Sequence, residues 1–272
     1  MTGFAVGLGS YAFRWSIGHG DRVPPHPMTA IEVLEFGLDH GARVVQIADN
    51  MRAHLLTDAE LDALAARARV GGAALEVGMQ GFDRRLASRY AAVARRLDAG
   101  ILRVALDAAD ARRDQGRLAA ELRDAAHEAG EAGARIAVEN HFGFPSTALV
   151  RLLEAAGDDR LGVCLDVGNS ICAGEWPGET VRLLAPWTIN LHLKDWTFRP
   201  DPYGVGFHVE GAPFGEGRTD AASVLAALDG RPPMSVIYEH WLPWQGDLEA
   251  TRALERRWTS DGLAAFRSLL SA

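Results

Sequence analysis

Short apolar runs and longer amphipathic stretches take turns along the whole chain, and this eightfold alternation limits the fold more than any other feature of the sequence. The runs at 5–13, 43–49, 75–81, 101–106, 135–141, 161–169, 188–195 and 235–241 are dominated by β-branched and other apolar residues and read as strands. Stretches near 29–41, 57–71, 83–99, 113–132, 146–156, 176–185, 219–230 and 247–270 are rich in Ala, Leu, Arg and Glu and read as helices. Thr29, Thr57, Ser146 and Asp220 stand where a side-chain oxygen can cap a first turn. Strands this apolar face water on neither side, which calls for a parallel sheet covered by helices. An open doubly wound sheet would lead its first strand into a glycine-rich phosphate turn, whereas this one leads into Ser10-Tyr11-Ala12-Phe13-Arg14-Trp15. The predicted fold class is therefore α/β, a single-domain (β/α)8 TIM barrel over residues 1–272, close to the roughly 250 residues typical of that fold.

Composition narrows the functional classes. With 48% hydrophobic residues the chain can bury a large core, and a net charge of −8 speaks against a general nucleic-acid or anionic-membrane surface. Cys164 and Cys172 are spaced for neither a redox pair nor a zinc knuckle and read as reduced thiols. The apolar start, 4–13, lacks a basic cluster before it and is interrupted by Gly7, Gly9 and Ser10, so it reads as a strand and not as a signal peptide. No apolar run reaches the ~18 residues of a membrane span, and a cytoplasmic location is expected. The glycine-, proline- and aromatic-rich stretch 196–218 is too long for an ordinary connection, and the expectation is an active-site loop covering the barrel mouth.

Active sites of such barrels lie at the C-terminal ends of the strands. Four strands run from apolar to ionisable there: Ala137-Val138-Glu139-Asn140-His141, Cys164-Leu165-Asp166-Val167-Gly168-Asn169, Asn190-Leu191-His192-Leu193-Lys194-Asp195 and Ile237-Tyr238-Glu239-His240-Trp241. A lone acid at a strand end is usually a cap or half of a surface pair, but recurrence on four successive strands predicts convergence on one point. Carboxylates so gathered repel one another, and a divalent cation offsets that. Glu139, Asp166, His192 and Glu239 are thus the candidate metal ligands. Three carboxylates and one imidazole suit Mn²⁺ or Mg²⁺, with Co²⁺ and Zn²⁺ also compatible. His141 and Lys194 are candidate contacts to substrate oxygens, joined by Gln46 and Gln80 from strands two and three and by Arg14 and Trp15 as a wall with a cationic tip. The bland alternatives are an ion pair of Lys194 with Asp195 and helix caps for the glutamines. His19, His26, His40, His54 and His127 read as surface residues, and His240 alternates away from Glu239.

In order and spacing, Glu139-Asn140-His141, Asp166-Val167-Gly168-Asn169, His192-Leu193-Lys194-Asp195 and Glu239 resemble the xylose-isomerase-like barrel superfamily of sugar phosphate isomerases and epimerases. The resemblance covers the whole chain. It implies an eight-fold barrel, one Mn²⁺- or Mg²⁺-type ion on those four ligands, proton transfer beside a carbonyl through an enediolate, and homo-oligomerisation. In ketose epimerases of this family the metal-binding Asp is followed three residues on by a substrate-touching His, here Asn169, and a further Glu is expected where Pro145 stands. The stretches Gln46-Ile47-Ala48-Asp49-Asn50, Gly206-Phe207-His208-Val209-Glu210-Gly211 and Gly215-Glu216-Gly217-Arg218 look like a bacterial subgroup that includes 3-oxo-isoapionate decarboxylase.

The principal expectation is a metal-dependent isomerase or epimerase of a small keto-sugar, with Glu139 and Glu239 as base and acid on opposite faces of the substrate. The alternative is a decarboxylase of a 3-oxo sugar acid in the same cage, which needs one proton donor and a group for the carboxylate. An apurinic endonuclease would need a histidine-richer multi-metal site and a basic surface, and a non-catalytic sugar-binding barrel would be expected to have lost a ligand. The sequence shows none of these.

Overall fold

A computed structural model of the chain describes residues 3–271, so the outermost residues of the expected 1–272 domain lie outside the described part. Eight parallel strands close into a barrel: β1 (Phe4–Gly9), β2 (Val44–Ile47), β3 (Ala74–Gln80), β4 (Ile101–Ala105), β5 (Arg135–Glu139), β6 (Leu161–Asp166), β7 (Thr188–Leu193) and β10 (Met234–Tyr238). Neighbours follow chain order, and β1 closes on β10 with Val6 opposite Val236. Two further strands, β8 (Asp195–Pro200) and β9 (Phe207–Ala212), form a separate antiparallel ribbon.

The helices are α1 (Arg14–Ile17), α2 (Ala30–Asp39), α3 (Asp58–Gly71), α4 (Arg84–Leu97), α5 (Ala108–Ala111), α6 (Gln115–Glu131), α7 (Ser146–Ala156), α8 (Pro177–Leu184), α9 (Ala221–Ala227) and α10 (Leu248–Ser271). Their placement follows local chemistry. In α4, Ala87, Tyr90, Ala91, Ala94 and Leu97 recur at helical spacing and are buried, Asp83 accepts the Leu86 amide at 2.7 Å, and Asp98 ends the helix in the left-handed region. Thr57 and Glu60 form a reciprocal cap on α3. Helix α10 packs against β1 and α1 and buries Leu263 and Phe266, and Gly262 admits the Tyr238 ring, which a β-carbon there would strike.

Several expectations are corrected. The first strand ends at Gly9, because 10–13 coil into a 3₁₀ turn that continues into α1. Ser146 caps nothing; it is the first residue of α7, and its amide and hydroxyl donate to Glu175 across the mouth. The stretch 196–218 is mostly the β8–β9 ribbon and not an open loop. Asp195 anchors it by accepting the amides of Trp196, Gly215, Gly217 and Thr219, each at 2.9 Å. Both cysteines are free thiols, and among the described residues no helix is long and apolar enough to cross a membrane.

Candidate metal centre and cavity

The strand ends carry the chemistry to one place. Glu139 ends β5, Asp166 ends β6, His192 lies near the end of β7, and Glu239 follows β10 directly; all are buried. Ligand atoms of Asp166, His192 and Glu239 lie within 4.8 Å of one another, and Glu139 is similarly close to His192 and Cys164. Gly9 makes room for this: a β-carbon there would sit 2.6 Å from Glu239 Oε1.

Each acid is oriented by its surroundings. Asn140 clamps Asp166 by donating to its carbonyl at 2.7 Å and accepting its amide at 2.8 Å. The Asp166 Oδ1 atom accepts the Gly168 and Asn169 amides, which leaves Oδ2 facing the cluster. Glu139 is held on both oxygens, Oε2 by the Arg103 guanidinium and Oε1 by Asn169 Nδ2 at 2.7 Å. Arg103 also donates to Asp49 at 2.7 Å, and Tyr11 donates to the other Asp49 oxygen at 2.6 Å. Lys194 ignores Asp195 and pairs instead with Asp166 (2.6 Å) and Glu239 (3.2 Å), its ammonium 4.8 Å from the Trp241 ring centre.

Charge and burial oppose each other throughout. Burial pushes Glu139 up, but Arg103 and His192 outweigh it and hold the carboxyl below its usual range. Glu239 is likewise lowered, burial being overcome by His192 and Lys194, whereas burial wins at Asp166 and raises it despite Lys194. His192 and Lys194 are both raised, since neighbouring carboxylates outweigh their desolvation.

The donor set fits a metal ion. Both His192 ring nitrogens and Glu239 Oε1 are buried without a hydrogen-bond partner, which is costly unless something else satisfies them, while Asp166 Oδ2 has the Lys194 ammonium beside it. Four carboxylates, those of Asp49, Glu139, Asp166 and Glu239, face two permanent cations, Arg103 and Lys194. The deficit of two positive charges is what a divalent ion supplies.

A cavity of about 220 Å³ opens above the cluster, lined by Tyr11, Arg14, Gln80, His141, Lys194 and Trp241 together with Glu139, Glu239 and Asn169. Of the expected substrate contacts, Arg14, Gln80, His141, Asn169 and Lys194 line this cavity. Two expected contacts do not. Gln46 is fully buried beneath the site, donating to Glu76 at 2.9 Å in a polar layer with Asn190 and Ser235. Trp15 is turned under α10, its indole donating to the Leu242 carbonyl at 2.9 Å and its amide to Glu255 at 2.7 Å. His19, expected only at the surface, is exposed and also lines the mouth, while His240 points away from the cavity and contacts Thr259. No residue of the ribbon lines this cavity; Val209 to Gly211 line an adjoining hollow with Arg14, Phe142 and Trp241.

Sequence reasoning missed Arg103, Asp49, Tyr11, Trp241 and Glu76. A signal existed for two of them: Arg103 and Glu76 are charged residues inside apolar strands, Ile101-Leu102-Arg103-Val104 and Leu75-Glu76-Val77, where an inward charge needs a partner.

Comparison with known proteins agrees with this architecture. The family model described as Xylose isomerase-like TIM barrel matches residues 30–268. The chain is 34% identical over 262 residues to 3-oxo-isoapionate decarboxylase of Pectobacterium atrosepticum, covering 95% of this chain and 94% of that one. Among solved structures, D-psicose 3-epimerase from Clostridium cellulolyticum H10 superposes with a TM-score of 0.73 at 16% identity, covering 98% of this chain and 99% of that chain. A barrel protein from Mycobacterium smegmatis, solved in complex with magnesium, superposes at 0.69 with 14% identity, covering 96% and 97%. At such identities these two likenesses establish the fold. The chain belongs to the Xylose isomerase-like TIM barrel family and is a metal-dependent enzyme of it.

Proposed function

We propose that the chain is a divalent-metal-dependent decarboxylase of a small 3-oxo sugar acid. The observation that carries this is the state of Glu139. An epimerase or isomerase working with two carboxylates needs a free base on each face of the substrate. Here both Glu139 oxygens are engaged, and Arg103 holds the carboxyl below its ordinary range, which makes it a poor base. Each oxygen still has a second lone pair, so Glu139 retains the capacity to be a ligand. The extended similarity to 3-oxo-isoapionate decarboxylase supports the same reading.

Asp166, His192, Glu239 and Glu139 would hold the ion, Mn²⁺ or Mg²⁺ by the oxygen-rich donor set. When bound it supplies Lewis-acid polarisation of the substrate carbonyl. The remaining work falls to the chain. The bond between the carboxylate and the carbon beside the ketone breaks, its electron pair passes into the carbonyl as an enediolate, and carbon dioxide leaves. A proton is then delivered to that carbon from a donor of the cavity wall, among which are His141 and Tyr11. Lys194, fixed between two carboxylates, keeps a positive charge beside the developing negative one. Trp241 and Phe142 offer apolar faces that keep water off it.

The test is incubation of the Mn²⁺-supplemented protein in deuterated water with 3-oxo sugar acids and with neutral ketoses. Release of carbon dioxide with one deuteron on the product carbon is expected. Solvent exchange without carbon loss would replace this reading with the isomerase one. Glu239→Gln should abolish turnover while the circular dichroism of the fold persists, and unchanged turnover would remove the role given to Glu239.

A further inference from the structure

The cavity above the carboxylates does not end at its mouth. Tyr11, Arg14 and His19 are walls of that cavity and also of a second hollow of about 310 Å³, which Asp49, Asn50 and Arg52 complete. The charge balance of this hollow is one-sided. Its acid, Asp49, is occupied on one oxygen by Arg103 and on the other by Tyr11. Asn50 is closed on Ser10, accepting its hydroxyl at 2.6 Å and donating to its carbonyl at 3.2 Å. Among the described residues no carboxylate lies within ion-pair distance of Arg14 or Arg52. Arg14 has only the His19 ring, at 3.4 Å, and the face of Tyr11. Burial and the charges of Arg14 and Arg22 hold His19 below its usual range, which disfavours a third positive charge beside them.

Arg52 has φ 48° and ψ 50°, between two 3₁₀ turns, Asp49–Met51 and Ala53–Leu55. Like Asp98, the other described non-glycine residue at positive φ, it closes the turn before it, its amide donating to the Asp49 carbonyl. At Arg52 glycine would be more comfortable. The turn it closes sets the exposed Arg52 side chain at the edge of the hollow.

We propose that Arg14 and Arg52 form an anion-binding subsite opening off the metal cavity, and that it takes the substrate carboxylate and so selects a sugar acid over a neutral ketose. The identity of the anion rests on the decarboxylase reading; its charge does not. Because the carboxylate loses its charge as carbon dioxide leaves, two arginines there strengthen binding of the ground state more than of the transition state. Their removal therefore raises KM without lowering kcat, which should hold or rise as the bound ground state is destabilised.

Binding is measured by calorimetry on the Mn²⁺-loaded protein with D-threonate, with the neutral threitol and with erythritol 4-phosphate, none of which is a 3-oxo acid. Threonate is expected to bind at least about tenfold more tightly than threitol, the value of a charge-assisted pair. Arg14→Gln and Arg52→Gly should each remove most of that preference. Arg52→Gly relieves the left-handed backbone, so an undiminished Tm serves as its folding control. Direct chelation of threonate by the metal would survive both substitutions, so a preference that persists in them overturns the subsite. Equal binding of threonate and threitol by the unaltered protein overturns it too. Tighter binding of the phosphate ester than of threonate would overturn the carboxylate assignment in favour of a phosphorylated substrate. An arginine-dependent preference for threonate, in a protein that releases no carbon dioxide from 3-oxo acids, would uphold the subsite while removing the decarboxylase reading.

Discussion

Lys194 Nζ lies 2.6 Å from Asp166 Oδ2, the oxygen of that carboxylate left free by the amides of Gly168 and Asn169. The same ammonium is 3.2 Å from Glu239 Oε2, so Lys194 is the counter-ion of two candidate metal ligands. A divalent ion placed among them meets a fixed positive charge and must share their attraction. Lys194→Met is therefore expected to bind Mn²⁺ about tenfold more tightly by titration, a modest change for one like charge nearby, while carbon dioxide release falls. Weaker Mn²⁺ binding in this variant would show that Lys194 organises the ligands and does not compete for them.

Gly9 is pressed against Glu239, with a virtual β-carbon 2.6 Å from Oε1 and 2.9 Å from Cγ. Gly9→Ala should displace the Glu239 side chain and lower Mn²⁺ affinity by roughly ten- to a hundredfold, the scale seen when a ligand's orientation is disturbed. Far-UV circular dichroism should be unchanged. Retained affinity would mean that Glu239 is not a ligand or that β1 yields easily.

Arg103 is enclosed between Glu139 and Asp49. Its replacement by Met leaves two carboxylates without their cation, and breaking a buried pair in this way costs about 3–5 kcal/mol. Denaturant unfolding of the metal-free protein should show that loss. Added Mn²⁺ should restore part of it, because a ligand that binds only the folded state stabilises it. A variant as stable as the parent would mean that both acids take up protons at no measurable cost.

Glu255 is buried where α10 meets the first turn, accepting the Trp15 and Ser16 amides at 2.7 and 2.9 Å. Burial outweighs these bonds and raises its carboxyl from 4.5 to about 7. Between those values the folded protein binds more protons at this site than the unfolded chain, so stability falls as pH rises and the loss is complete above about pH 7. The shift corresponds to about 3 kcal/mol. Glu255→Gln lacks this titration, and its stability relative to the parent should improve by that order between pH 5 and pH 8 in denaturant melts. Parallel pH profiles of the two proteins would remove Glu255 as the source.

The alternation of strand and helix, the barrel, and the placing of Glu139, Asp166, His192 and Glu239 at strand ends were all legible along the chain. Each depends on local periodicity and on the rule that strand exits face the barrel mouth. The limits of that legibility are visible at particular residues. Periodicity indicated that Gln46 points inward but not how deep it lies, and it is the register of β2 on β3, setting Gln46 opposite Glu76, that places it in the barrel floor. Trp15 looked like a cavity wall because nothing in its neighbourhood announces the helix more than two hundred residues later that covers it.

What the sequence determined by itself was that Glu139, Asp166, His192 and Glu239 stand at or beside strand exits. Which of them remain free there was decided only by tertiary structure. Arg103 neutralises Glu139 and Asp49, Lys194 turns from Asp195 to Asp166, and Arg14 is left without a carboxylate, all through contacts between strands distant in the chain. The physical reason is that a buried charge takes its state from whatever lies within a few ångströms, and closure of the barrel, not chain order, sets those neighbours.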